Sequence, residues 1–142
     1  MTFNAPPEPP RTLPIIEDEN RAYWTGGADG RLHISRCNSC GNYIHPPLPR
    51  CTKCLSADIL DAVVSGRGTI ESFTINYHRW LPGLKVPYVI ALVSLAEQED
   101  IRFMTNIVDC APEDVSIGAT VRVVFEQQEE VFLPLFQIEQ SV

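Results

Sequence analysis

Four cysteines in the order Cys37-x2-Cys40-x10-Cys51-x2-Cys54 constrain this chain more than anything else in it. Two Cys-x-x-Cys pairs about ten residues apart can fold back on one another and present four thiolates to a single tetrahedral ion, the spacing of a zinc ribbon. Four thiolates fill the tetrahedral shell of Zn²⁺ and leave no position for water or substrate, so the expected site is structural. In each knuckle, backbone N–H groups can point at the sulfurs and support their charge. Gly41 follows Cys40 where the knuckle calls for a left-handed turn, whereas Leu55 occupies the matching place after Cys54. Iron, or a pair of disulfides, uses the same four residues. The start Met1-Thr2-Phe3-Asn4-Ala5 lacks a basic segment followed by an apolar run, which favours a cytoplasmic location and reduced, metal-binding thiols. Cys110 is the odd fifth cysteine, with no neighbouring base to activate it, and reads as a buried, inert thiol.

Charge narrows the function classes. The formal net charge is -7, and a zinc tetrathiolate would take it to about -9. Phosphate-backbone binding draws on Lys and Arg, so a general nucleic-acid binder is disfavoured. The charge is unevenly placed. Residues 31–90 carry Arg31, Arg36, Arg50, Lys53, Arg67, Arg79 and Lys85 against Asp58, Asp61 and Glu71, while residues 91–142 carry Arg102 and Arg122 against ten acids. An anionic ligand is expected near the ribbon and the start of the next domain, with an ordinary solvated surface as the plainer reading. No run approaches the roughly 20 apolar residues of a membrane span.

The fold class expected is mainly β: a short N-terminal helix, a rubredoxin-like zinc ribbon, then a five-stranded OB-fold barrel. Residues 1–14, with Pro6, Pro7, Pro9, Pro10 and Pro14, read as a flexible or extended tail. Residues 15–30 form a helical segment, with Glu17–Trp24 as the helix, acids in its first turn, and Gly26, Gly27 and Gly30 ending it. Residues 31–62 form the ribbon, entered by a strand at Leu32–Arg36 and left by one at Ile59–Ser65. Residues 63–142 hold five candidate strands at Gly68–Tyr77, Tyr88–Ala96, Ile101–Val108, Thr120–Gln127 and Phe132–Glu139, with a turn of helix within Ala111–Ser116. Periodicity alone fits an open sandwich nearly as well as a closed barrel. Glu97, Glu99 and Asp100 read as a solvated hairpin tip.

Two aromatic segments are candidate contact sites. His78-Arg79-Trp80-Leu81-Pro82-Gly83-Leu84-Lys85 joins the first two barrel strands, and a Trp flanked by leucines on a loop is a partner contact or a cover over its own core. Tyr23 and Trp24 pack on the ribbon or anchor another chain. No acid, base and nucleophile combine: His33, His45 and His78 form no metal or triad spacing, and Gly66-Arg67-Gly68 is a tight turn without the following helix that phosphate cradles use.

Taken in order, several segments resemble a known family. They are Tyr23-Trp24, Gly30-x-Leu32, Arg36-Cys37-Asn38-Ser39-Cys40-Gly41, Pro49-Arg50-Cys51-Thr52-Lys53-Cys54, Ser65-Gly66-Arg67-Gly68-Thr69-Ile70, Pro87–Val93, and Ile117-Gly118-x-x-Val121. The family is that of small zinc-ribbon/OB-fold proteins of acyl-CoA metabolism, long grouped as a domain of unknown function. The resemblance implies an accessory subunit without chemistry of its own. Such a subunit docks on thiolase-like enzymes or steroid side-chain retro-aldolases and helps hold or relay an acyl-CoA. It implies Cys37, Cys40, Cys51 and Cys54 as ligands of a structural Zn²⁺. Tyr23, Trp24, Arg67, His78, Arg79, Trp80 and Lys85 are its candidate contacts to the ligand or the partner subunit. Asn38 stands where proline is frequent, and Glu97-Gln98 lacks the glycine that relatives often carry there. The alternative function is a nucleic-acid-binding OB/zinc-ribbon module, with Phe73, Tyr77 and Trp80 as stacking residues.

Overall fold

The computed structural model describes residues 7–139; residues 1–6 of the expected tail lie outside the described residues. Strands β1 (Leu32–Cys37), β2 (Tyr43–Ile44) and β3 (Ile59–Val64) form a three-stranded antiparallel sheet in the order β2-β1-β3. Strands β4 (Arg67–Asn76), β5 (Tyr88–Leu95), β6 (Gln98–Ile107), β7 (Thr120–Gln128) and β8 (Val131–Ile138) close into a barrel in the order β4-β5-β6-β8-β7. Closure removes the open-sandwich alternative. It rests on β4 meeting β7 at Gly68↔Val121 and on the parallel contact Ile107↔Phe136 between β6 and β8. A single 3-10 turn at Pro112–Asp114 takes the place of the expected helical turn.

Alternation is clearest along β5. There Val89, Ala91, Val93 and Leu95 are buried, and the residues between them are half-exposed. The barrel core extends into the ribbon: Leu32, Ile34 and Val64 of the ribbon sheet belong to the same buried cluster as Ile70, Val93, Phe103 and Phe136. Ribbon and barrel therefore share one core. A second, smaller cluster of Cys37, Ile44 and Cys51, with Ile59 against it, surrounds the sulfurs.

The helix is shorter and later than its sequence suggests. It spans Arg21–Thr25 (α1), and Gly26–Asp29 continue it as a 3-10 turn that ends at left-handed Gly30, φ 72°. The Asn20 side chain prevents an earlier start. Its Oδ1 accepts the Glu17 N–H at 2.7 Å and its amide donates to the Ile15 carbonyl at 3.1 Å, holding residues 15–20 in a turn. The acids at 17–19 thus precede the helix. Gly27 lies directly over the barrel: a Cβ there would sit 2.4 Å from the Phe125 ring and 2.6 Å from Phe132.

An aromatic column fastens the three parts together. Tyr23 of α1 packs edge-on to Trp24 at 4.7 Å and against His45 of the ribbon at 4.6 Å. His45 packs against Phe103 of β6 at 4.7 Å, and Phe103 stacks with Phe136 of β8 at 6.1 Å. Residues 7–14 lie extended along the barrel. Arg11 reaches Glu126 at 2.5 Å and Asn106 at 3.0 Å, and Glu8 pairs with Lys85 at 3.6 Å.

His45 Nδ1 is buried and meets no hydrogen-bond partner among the described residues. Burial therefore pushes its pKa down from 6.5 to about 4. Between those values the unfolded chain binds a proton that the native state refuses, so stability is full above pH 6.5 and falls as the pH drops toward 4. Wild-type protein should lose on the order of 3 kcal/mol more over that window than His45→Phe, which keeps the packing and cannot titrate. Denaturant titrations at pH 7 and pH 4 measure the difference, and parallel curves for the two proteins would contradict it.

Candidate metal centre and contact surfaces

Both knuckles have the same backbone. Gly41 N–H donates to the Cys37 carbonyl at 2.8 Å, and Leu55 N–H donates to the Cys51 carbonyl at 3.1 Å. Gly41 and Leu55 both take left-handed angles, φ 81° and 64°. Leu55 thus adopts a conformation that costs a β-carbon-bearing residue roughly 1–2 kcal/mol, and its side chain is largely exposed. The two turns bring the four Sγ atoms within 4.8 Å of one another. Cys37 and Cys54 lie 3.5 Å apart, and Cys40 and Cys51 lie 3.6 Å apart. Tetrahedral Zn–S bonds of about 2.3 Å place sulfurs about 3.8 Å apart, so the cluster is spaced for coordination.

The surrounding donors fit thiolates. Cys40 N–H points at Cys37 Sγ at 3.4 Å and Lys53 N–H at Cys51 Sγ at 3.3 Å. The Cys40 amide is the main reason that the Cys37 thiol is held below its ordinary value. Backbone bonds from Cys54 and Lys53, aided by the Asn42 amide at 3.7 Å, bring Cys51 down to about 6. At Cys54 the Ser56 N–H works downward, but the neighbouring sulfurs of Cys37, Cys40 and Cys51 outweigh it and push the thiol up to about 12. Cys37, Cys40, Cys51 and Cys54 would hold Zn²⁺, whose charge makes all four thiolates compatible.

The remaining candidate residues fall into three places. Tyr23 turns inward to the aromatic column, with Trp24 half-buried beside it. His78, Arg79, Trp80 and Lys85 share the β4–β5 loop. There Trp80 Nε1 donates to Asn76 Oδ1 at 3.0 Å, His78 packs on the indole at 4.2 Å, and Arg79 Nε donates to the Leu84 carbonyl at 3.0 Å. Trp80 is fixed in place yet 67 % exposed, so it does not cover the core. The loop and the Pro9–Thr12 segment bound a groove of about 420 Å³ lined by Trp80, Leu81, Leu84, Pro87 and Tyr88.

Arg67 stands apart. It opens β4 while the Trp80 loop follows the strand's other end, so about 30 Å of strand separates them. Cross-strand pairing sets Arg67 opposite Arg122, and Arg122 opposite Gln137. Arg67 pairs with Glu139 at 2.9 Å. Arg122 donates to the side-chain amide oxygen of Gln137 at 2.5 and 3.0 Å, in the orientation that also lets the Gln137 NH₂ donate to Asp109 at 3.1 Å. These residues line a polar cleft with Cys110, whose thiol burial and the adjacent Asp114 and Asp109 push up, away from reactivity. The sequence reading missed Arg122 and Gln137, which become neighbours of Arg67 only through strand register. It also missed Gln98, Glu97 and Asn42. Glu97 accepts the Ser65 N–H at 2.7 Å and its hydroxyl at 2.9 Å, so the acidic β5–β6 turn, whose Glu97, Glu99 and Asp100 are exposed as expected, is also anchored where the ribbon passes into the barrel.

Cys51→Ser should abolish stoichiometric zinc in native mass spectrometry. Leu55→Gly should retain it and raise stability by about 0.5–1 kcal/mol, because glycine releases the left-handed strain and little packing is lost. A Leu55→Gly protein less stable than wild type in thermal unfolding would contradict the backbone assignment.

Comparison with known proteins places these features. Residues 24–59 match the model described as ChsH2, rubredoxin-like zinc ribbon domain, and residues 62–126 match ChsH2, C-terminal OB-fold domain. A probable enoyl-CoA hydratase alpha subunit of Thermomonospora curvata is 35 % identical over 132 residues, covering 92 % of this chain and 41 % of that protein. The chain thus spans about two fifths of that relative's length. A DUF35 domain-containing scaffold protein of Methanocaldococcus jannaschii is 35 % identical over 97 residues, 67 % of each chain. A chain of the solved Ltp2-ChsH2(DUF35) aldolase superposes with a TM-score of 0.76 at 36 % identity, covering 89 % of this chain and 98 % of that one. With the ribbon, the barrel and their order all matched, the chain belongs to the DUF35 family of ChsH2-type zinc-ribbon/OB-fold proteins.

Proposed function

We propose that this chain is a non-catalytic, zinc-stapled accessory subunit. It docks on a thiolase-like or aldolase subunit in the cytoplasm and helps bind or relay an acyl-CoA, a steroid side-chain CoA thioester being one candidate. The observation that carries this reading is the 36 % identity to the aldolase-complex chain along 98 % of its length. Among the described residues no histidine hydrogen-bonds a serine, threonine or cysteine side chain, His45 Nδ1 is buried in the seam and the Cys110 thiol is pushed up, which supports a role without chemistry.

The separation of the two contact surfaces supports a division of labour. The Trp80 loop offers a pre-positioned tryptophan with Arg79 beside it, residue types that dominate interface hot spots, and Lys85 on the same loop. The Arg67–Arg122 cleft, at the other end of β4, offers guanidinium groups to CoA phosphates, which would compete with Glu139 for Arg67. Nucleic acid is less well served. On the outer face of β5 and β6, where OB folds bind oligonucleotides, Ile90, Leu92 and Met104 stand together, and Arg102 is occupied by Glu71 at 2.6 Å.

Co-expression with a thiolase-like or aldolase subunit should yield a complex. Trp80→Ala should weaken that complex at least 10-fold without changing zinc content or melting temperature. Arg67→Ala should weaken CoA binding by calorimetry and leave the complex intact. Full partner activity without this chain, together with no CoA binding, would refute the proposal. Tight, salt-dependent binding of labelled single strands would favour the nucleic-acid module instead.

A further inference from the structure

The β5–β6 turn reaches onto the ribbon with two consecutive side chains. Glu97 holds Ser65, where the chain passes from β3 to β4. Gln98 holds β2: its Oε1 accepts the Tyr43 N–H at 3.0 Å, and its Nε2 donates to the Tyr43 carbonyl at 3.2 Å. β2 pairs with β1 on its other side, where the Asn42 carbonyl accepts the Cys37 N–H at 2.8 Å. The Gln98 amide therefore completes the free edge of β2 as a neighbouring peptide would.

The same Nε2 group also donates to Asn42 Oδ1 at 3.0 Å. Asn42 is only 6 % exposed, and its own amide donates to Cys51 Sγ at 3.7 Å and to Thr52 Oγ1 at 3.4 Å. A continuous set of hydrogen bonds thus runs from a barrel strand to a metal-ligand sulfur on the ribbon. With its carbonyl anchored by Gln98, Asn42 is obliged to present its NH₂ to the sulfur. Without Gln98, Asn42 Oδ1 and the half-buried Tyr43 peptide lose their barrel-side partner, and the Asn42 amide is no longer held from the side opposite the sulfur.

We infer that Gln98 is a positioning residue for the zinc site, one that couples the ribbon's grip on its metal to the seating of the ribbon on the barrel. A coupling of this kind is reciprocal, so metal occupancy also tightens the seam between the two. It depends on this chain's Gln98 and Asn42 and stands whether or not the accessory-subunit reading holds.

The test is the rate at which the full-length zinc protein gives up its metal to a chromogenic chelator. Asn42→Ala should release zinc about 10- to 100-fold faster, the usual cost of losing an outer-shell partner, and Gln98→Ala or Gln98→Met at least ~5-fold faster. Gln98→Met keeps the unbranched stem and serves if the alanine variant folds poorly. The double variant Asn42→Ala/Gln98→Ala should be no faster than Asn42→Ala alone, because both act through one bond to the sulfur. The cobalt(II)-substituted protein should report the same residue spectroscopically, with thiolate-to-cobalt and d–d bands shifted in both Gln98 variants. Val121→Ala, which opens a cavity in the main core and not in the small cluster around the sulfurs, supplies a control of lowered stability and should leave the release rate within about 2-fold of wild type. Wild-type release from the Gln98 variants, multiplying effects in the double variant, or equal acceleration by Val121→Ala would each overturn the proposal.

Discussion

Four thiolates cannot crowd within 4.8 Å of one another without a cation among them, and this condition organises the rest of the molecule. The ribbon sheet is small: β2 is two residues long, and the cluster around Cys37, Ile44 and Cys51 is too modest to hold three strands together unaided. Metal binding must supply that part of the folding energy. Once the knuckles are closed, β1 and β3 present Leu32, Ile34 and Val64 to the barrel, and the two modules share a core.

The seam between them is built from two unlike contacts. One is apolar, the column of Tyr23, His45, Phe103 and Phe136, which fixes the helix and the ribbon against β6 and β8. The other is polar, the grip of Glu97 and Gln98 on Ser65, Tyr43 and Asn42. Apolar packing supplies most of the adhesion and is tolerant of small shifts. Hydrogen bonds to backbone groups are directional and set one register. Together they join ribbon and barrel and leave the candidate contact surfaces on the outside: the tryptophan loop at one end of β4 and an arginine cleft at the other.

Much of this was legible in the residues. Cysteine spacing announced the ribbon, and β-branched and aromatic runs bounded by turn residues located all five barrel strands. The features that were not legible depend on partners distant in sequence. Arg122 meets Arg67 only through β4–β7 register, and Gln98 meets Tyr43 across 55 positions. Glu97, Glu99 and Asp100 do face solvent, but the hold of Glu97 on Ser65 spans 32 positions and was not legible. The helix onset was misplaced because Asn20, an excellent cap by type, spends its side chain on the preceding turn. Leu55 shows the converse: a poor residue for a left-handed position is held there by the knuckle's geometry.

Relatives of this chain are named as subunits of CoA-thioester enzymes, and the proposed accessory role draws on a metal-stapled body with separated candidate contact surfaces. All of it presupposes that the metal holds the ribbon in its seat on the barrel. Amide hydrogen exchange on the full-length protein, with zinc bound and after its removal by a chelator, addresses that directly. Zinc removal should strip protection from the amides of Leu32–Cys37, Tyr43–Ile44 and Ile59–Val64 while Ile70, Val93 and Val123 in the barrel stay protected. Ribbon amides that remain fully protected without zinc would contradict the account.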